Sequence, residues 1–91
     1  MRERTIERYL HQQVELVGGT TRKFKGRVND PDRVVIFKGT PARVHFVELK
    51  ATGKRPRPGQ ARELERLFKL GCFVSVLDSK QDVDRFVRLF K

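Results

Sequence analysis

Glu48 and Lys50 are the residues of this chain best placed to carry out chemistry. They stand two positions apart in a segment that runs from Val44 to Lys50 and whose apolar residues predict a buried β-strand. Side chains at i and i+2 on a strand share one face, so an acid and a base would project together. An unpaired charge in such a strand would cost several kcal/mol. Either a salt bridge within or between strands, or a reactive site, would account for the pair.

Asp32 supplies a second carboxylate, where a loop enters the preceding predicted strand. Pro31 fixes the backbone before it, and Asp30 is an alternative if the loop is extended there. Carboxylates at the ends of neighbouring strands, with a lysine alongside, offer hard oxygen ligands for a metal ion and a cation near an attacked phosphate. The pattern favours metal-dependent phosphodiester hydrolysis. An acidic residue in an ordinary turn is the simpler interpretation of Asp32 taken alone.

The elements that must position these residues follow from apolar periodicity and from glycine and proline breaks. They are a helix over Arg2–Val17, strands over Thr20–Phe24, Val34–Phe37 and Arg43–Leu49, a helix over Gln60–Leu70, a strand over Phe73–Leu77 that we expect to be buried, and a final helix after Asp78-Ser79. Within the Gln60 helix, Leu64, Leu67 and Phe68 are predicted to share the apolar face. The order α-β-β-β-α-β-α predicts an α/β domain whose mixed central sheet is flanked by helices, with a hairpin followed by a helical crossover into a parallel strand.

Length and charge set the class of partner. The 91 residues suit a single domain, 1–91, and 21 Lys+Arg against 11 Asp+Glu give a net charge of +10. Such an excess points to a polyanion, with nucleic acid ahead of an anionic membrane or an acidic protein. The chain has no long apolar run of the kind that would favour a membrane partner. The candidate phosphate contacts are Arg22, Lys23, Lys25, Arg27, Lys54, Arg55 and Arg57.

Cysteine and histidine are too few for other kinds of site. Cys72 is the only cysteine, so an intrachain disulfide is excluded and a reducing, cytoplasmic compartment is expected. His11 and His45 are the only histidines, and with one cysteine they do not make the four-ligand set of a structural zinc site. Cys72 is expected to pack as a small apolar residue.

Five motifs follow one another along the chain. They are Thr5-Ile6-Glu7-Arg8-Tyr9-Leu10, Gly18-Gly19, Asp30-Pro31-Asp32-Arg33, Phe46-Val47-Glu48-Leu49-Lys50 and Arg57-Pro58-Gly59-Gln60. In this order they resemble the VRR-NUC domain of the PD-(D/E)xK nuclease superfamily, in its small stand-alone, virus-type form. The resemblance runs from Glu3 to about Val87 and implies the restriction-endonuclease-like core of that superfamily. A proline-aspartate step with Glu-x-Lys is a weak signal, whereas the ordered set with a helix glutamate and a downstream glutamine is a specific one.

The resemblance implies roles for the strand residues. Asp32 and Glu48 look like ligands of Mg²⁺ or Mn²⁺, helped by the backbone carbonyl of Leu49. Lys50 looks like the residue that orients or activates the attacking water. The loop before Asp32 departs from the glycine-rich family pattern, because Val28-Asn29-Asp30 stands there.

The helices would add two further residues by the same resemblance. Gln60 matches a glutamine at a helix start that positions water or ligand, although an ordinary polar first-turn residue is the alternative. Glu7 best matches the acid of the first helix, as a catalytic residue and metal ligand. Glu3 is the alternative, because it lies four residues earlier on the same helical face.

The resemblance also implies partners. Stand-alone members of the family look like nucleases that act on branched DNA such as four-way (Holliday) junctions, in the host cytoplasm if the chain is viral. Cutting two strands symmetrically takes two sites, so we expect a homodimer, with Phe86, Leu89 and Phe90 as interface candidates. The competing hypotheses are a basic nucleic-acid-binding domain without catalysis and a ribosomal-type RNA-binding protein.

Overall fold

The computed structural model describes residues 1–90, which form three helices around a four-stranded sheet. The elements are α1 (Glu3–Leu16), β1 (Thr20–Lys23), β2 (Arg33–Phe37), β3 (Arg43–Leu49), α2 (Pro58–Lys69), β4 (Phe73–Leu77) and α3 (Lys80–Phe90). This order confirms the predicted fold class. Helix α2 begins at Pro58, two residues before the predicted start, because proline suits a first helical turn, where its missing N–H would have no partner.

The sheet has the strand order β1-β2-β3-β4, so sequential strands are neighbours throughout. The first two pairings are antiparallel, and β3 pairs with β4 in parallel after the crossover through α2. The register places Arg33 opposite Val47 and Glu48 opposite Val76. The end of β3 therefore lies beside the start of β2, which is where Asp32 enters the sheet.

The core occupies one face of the sheet. Val47 and Leu49 of β3 are buried with apolar residues of α1 and α3. Because neighbouring residues of a strand point to opposite faces, Phe46 and Glu48 project to the other side, where Gln60 of α2 meets Glu48. The alternation of β3 thus separates the apolar core from the charged side chain.

Three expectations about apolar residues are wrong. Strand β4 has one neighbour and forms an edge of the sheet, which leaves Phe73 and Val76 partly exposed, 47% and 40% respectively. Phe68 is 66% exposed because it lies on the outer side of α2. Phe86, an expected interface residue, is only 3% exposed and packs against Phe37 in the core. Among the helices of residues 1–90, none has the length and apolar character that a membrane span requires.

Candidate active site

Glu48 is a carboxylate buried inside the sheet, with 1% of its surface exposed. Its Oε2 atom lies 3.4 Å from Nζ of Lys50 and accepts a hydrogen bond of 3.0 Å from Nε2 of Gln60. Its Oε1 atom is buried without a hydrogen-bond partner. Buried polar atoms are nearly always paired, so this carboxylate oxygen has the capacity to accept one further ligand.

The surroundings of Glu48 oppose its ionisation. Burial, and then the charge of Asp32, raise the pKa of Glu48 to about 7, and the Lys50 ammonium only partly offsets them. The Glu3 carboxylate adds to the same upward shift. Clustered acids of this kind are stabilised by a bound cation, which favours the ionised form of each.

Asp32 is held against the strand that carries Glu48. Its Oδ2 atom accepts a hydrogen bond of 3.0 Å from the backbone N–H of Leu49. The alternative acid, Asp30, turns back into its own loop, where its Oδ2 atom accepts a bond of 2.6 Å from the Arg27 backbone N–H. The local geometry therefore brings Asp32, and not Asp30, to the end of β3.

Gln60 links the site to the start of α2. Its Oε1 atom accepts a hydrogen bond of 2.9 Å from the Arg57 backbone N–H, and its Nε2 atom donates to Glu48. A glutamine at this third helical position can satisfy an N-terminal N–H that has no partner within the helix. Gln60 is only 6% exposed, so it is a buried residue that links Glu48 to α2 and not an ordinary first-turn residue in solvent.

The two glutamates of α1 have different surroundings. Oε2 of Glu7 accepts bonds from Nε and Nη2 of Arg33, at 3.1 and 3.0 Å. Desolvation, and then the charge of Asp32, raise the pKa of Glu3, while Lys50 opposes this shift. Glu3 thus shares the electrostatic field of Asp32 and Glu48, whereas Glu7 is engaged with a neighbouring arginine. The assignment of Glu7 to the site stays a prediction.

The residues at this end of β3 fit a hard divalent cation. Asp32 and Glu48 offer carboxylate oxygens, of which Glu48 Oε1 is free, and Mg²⁺ commonly takes only one or two protein carboxylates and keeps several waters. Within residues 1–90, no three side chains of His, Cys, Asp or Glu form a ready-made metal cluster. Such a donor set would suit a partly hydrated ion whose coordination is completed by water or substrate.

The predicted phosphate contacts are all exposed. Lys23 lines a cleft of about 350 Å³ together with Glu3 and Asp32. Lys54 and Arg55 line another, of about 380 Å³, beyond β4. Arg22, Lys25 and Arg57 are exposed as well. Arg27 is partly neutralised, because its Nη2 atom lies 3.1 Å from Oε1 of Glu63.

The sequence interpretation missed the contribution of Arg33. Its guanidinium comes from β2 and is fixed by Glu7 of α1, which lies 26 residues earlier. An arginine next to Asp32 was visible in the motif, but its partner depends on how α1 docks on the sheet. The i and i+4 spacing of Arg4 and Arg8 on α1 was the available signal for a basic surface there.

Comparison with known proteins supports the fold and the class of protein. No family model matches the chain. A curated relative, "Putative nuclease p44" of Acyrthosiphon pisum secondary endosymbiont phage 1, is 45% identical over 82 residues, or 88% of this chain and 86% of the relative. A solved structure described as a VRR_NUC domain superposes with a TM-score of 0.84 at 33% identity, over 98% of this chain and 97% of that one. At these identities and coverages, the chain belongs to the VRR-NUC domain family.

Proposed function

We propose that this protein is a divalent-metal-dependent endonuclease that hydrolyses phosphodiester bonds of DNA. The observation that carries the proposal is the buried Glu48 carboxylate, with one oxygen unpartnered, beside Asp32 and Lys50. A bound cation would stabilise both this oxygen and the acids beside it, which an ion pair with Lys50 alone does only in part. The phage relative is named a putative nuclease, which supports the same class of activity.

Each residue has a role that follows from its contacts. Asp32 and Glu48, with the Leu49 carbonyl, would hold Mg²⁺ or Mn²⁺, and the chemistry that such an ion supplies is charge stabilisation on the phosphoryl oxygens and a lower pKa of water. Lys50 brings its ammonium to the same carboxylate and can orient the attacking water. Gln60 fixes the rotamer of Glu48 through its hydrogen bond.

The proposed substrate is DNA, with branched forms such as four-way junctions preferred. The net charge of +10 and the exposed basic side chains support binding through phosphates, which carries little sequence information. We place the activity in the cytoplasm, that of the host if the chain is viral.

A homodimer is proposed as the active form, since one site cuts one strand. Exposed apolar side chains near the start of β4 are available to a second copy, and they are Phe68, Leu70 and Phe73. Leu89 is also 72% exposed. The unpaired edge of β4 could bind the same edge of another chain, because such a contact is self-complementary about a two-fold axis.

The activity is tested with a panel of linear, flap and four-way-junction DNAs, each incubated with Mg²⁺, Mn²⁺ or EDTA. We expect cleavage with metal only, fastest on the junction, and its loss in Asp32→Asn, Glu48→Gln and Lys50→Ala with DNA binding retained. Glu65→Gln, on the exposed side of α2, is the matched control. Binding without cleavage in the wild type would favour the non-catalytic alternative, and metal-independent RNA binding would favour the RNA-binding one.

Sedimentation equilibrium tests the homodimer independently of activity. We expect a dimer at ~10 μM that Phe73→Glu dissociates, because a charge on an apolar interface is left unpaired and buried. Leu16→Glu is a control, since Leu16 is 77% exposed on α1, away from β4. A monomeric wild type at this concentration would refute the paired-site arrangement while leaving single-strand nicking possible.

A further inference from the structure

A second cleft lies beside the proposed active site, between α1 and the β1–β2 edge of the sheet. It measures about 420 Å³ and is lined by Arg4, Glu7, Arg8, His11, Thr21 and Arg33. None of the basic residues among these belongs to the set of phosphate contacts expected from sequence. We propose that this cleft binds a backbone phosphate of the nucleic acid next to the phosphate that is cleaved.

The charge of the cleft favours an anion. Three arginines face one glutamate, which gives an excess of positive charge before His11 is considered. Arg4 and Arg8 are exposed, and neither forms an ion pair within residues 1–90. Their guanidinium groups are thus free to bind phosphate oxygens, for which arginine has a suitable planar geometry.

The floor of the cleft is held in place before any ligand binds. The Arg33 side chain is 20% exposed, and Glu7 bonds its Nε and Nη2 atoms, which leaves further N–H donors of the guanidinium for a ligand. Thr21 is only 5% exposed, and its Oγ1 atom lies 2.9 Å from Nδ1 of His11. Side chains fixed in this way lose little conformational freedom when they bind a ligand.

The position of the cleft identifies the ligand as a nucleic-acid strand. Arg4 and Glu7 line both this cleft and the cleft that contains Asp32 and Lys23. A strand with one phosphate at Asp32 can therefore continue along α1 and place another phosphate between Arg4, Arg8 and Arg33. The inference rests on the proposed function for the location of the cleaved phosphate, and it assigns Glu7 the role of orienting Arg33.

The test compares two double variants that lose the same charge, both in the Glu48→Gln background so that DNA stays uncut. Arg4→Gln with Arg8→Gln alters the cleft, whereas Lys38→Gln with Arg88→Gln alters exposed positions elsewhere. Binding of a fluorescent four-way junction is titrated against salt. The cleft variant should lower the slope of log K against log[salt] by roughly 1 to 2, at about 0.9 for each lost phosphate contact, and the control should change it much less.

The same double variants in the active protein give a second readout. With Mg²⁺, the cleft variant should raise KM and keep kcat, whereas a structural defect would also lower the melting temperature. Equal slopes for the two double variants, in a wild type that cleaves DNA, would overturn the cleft and leave the proposed function standing. No cleavage with Mg²⁺ or Mn²⁺, with the slope lowered only by the cleft variant, would overturn the proposed function and keep the cleft as a nucleic-acid site.

Discussion

Gln60 donates a hydrogen bond of 3.0 Å to the buried carboxylate of Glu48. The other end of the same amide accepts from the backbone at the N-terminus of α2. One side chain therefore ties the rotamer of a candidate metal ligand to the start of a helix. Because both ends of the amide are used, its orientation is set by the two contacts together.

The substitution Gln60→Glu separates these two contacts. A glutamate can still accept the Arg57 N–H and cap the helix, but it has no donor for Glu48 and adds a like charge beside it. We expect a folded protein with normal helix content and a loss of about 10- to 100-fold in metal affinity or cleavage. Circular dichroism and cleavage rates measure the two effects, with the exposed Gln81→Glu as control. Unchanged cleavage would show that Gln60 only caps the helix.

Glu48 should make the metal-free protein more stable in mild acid than at neutral pH. The folded-state pKa of about 7 lies above the ordinary value of 4.5. The contribution of Glu48 to the free energy of unfolding is therefore complete below about pH 4.5 and is lost as the pH rises through about 7. Relative to Glu48→Gln, the free energy of unfolding of the wild type should fall by about 3 kcal/mol over this pH range. Urea unfolding in EDTA at several pH values measures the difference. A constant difference would mean that Glu48 is not protonated in the fold.

The glutamates of α1 should affect different kinetic constants. Glu3→Gln removes a charge that raises the pKa of Glu48, so it should lower that pKa. If Glu3 also supports the metal, the same substitution should reduce kcat by about 10- to 100-fold. Glu7→Gln releases Arg33 and should raise KM with little change in kcat. Steady-state cleavage of the same junction distinguishes them. The opposite pattern would support Glu7 as the acid of the helix.

His45 should make the protein sensitive to acid. It is fully buried, both ring nitrogens lack partners, and burial, followed by the Arg43 charge, lowers its pKa from 6.5 to about 4. The contribution of neutral His45 to the free energy of unfolding is complete above about pH 6.5 and is lost as the pH falls through about 4. The free energy of unfolding of His45→Leu, taken relative to that of the wild type, should therefore be about 3 kcal/mol higher at pH 4 than at pH 7.5.

The free energy of unfolding of His45→Leu is compared with that of the wild type at each pH. The comparison is needed because stability from Glu48 falls with rising pH over part of the range, whereas stability from His45 increases. Leucine suits the site, since His45 contacts Phe37, Phe86 and Phe90 and makes no hydrogen bond there. A difference that does not change with pH would mean that the buried imidazole finds a partner in solution.

The order of elements and the strand residues of the site were readable from the sequence. Apolar periodicity and glycine or proline breaks are local signals, and they set helix and strand positions within a few residues. The spacing of Glu48 and of Lys50, which directly follows β3, likewise places both side chains on the same face of the sheet, since alternation along a strand is a property of its backbone. Their ion pair follows directly from that spacing.

Tertiary packing alone decided the rest. Glu3 and Glu7 share a helical face, and only the docking of α1 against β2 gives Glu7 to Arg33 and leaves Glu3 near Asp32. An edge strand such as β4 is as apolar as an inner one, so its exposure depends on how many strands the sheet has. These outcomes rest on contacts between residues far apart in the chain, which local periodicity does not encode.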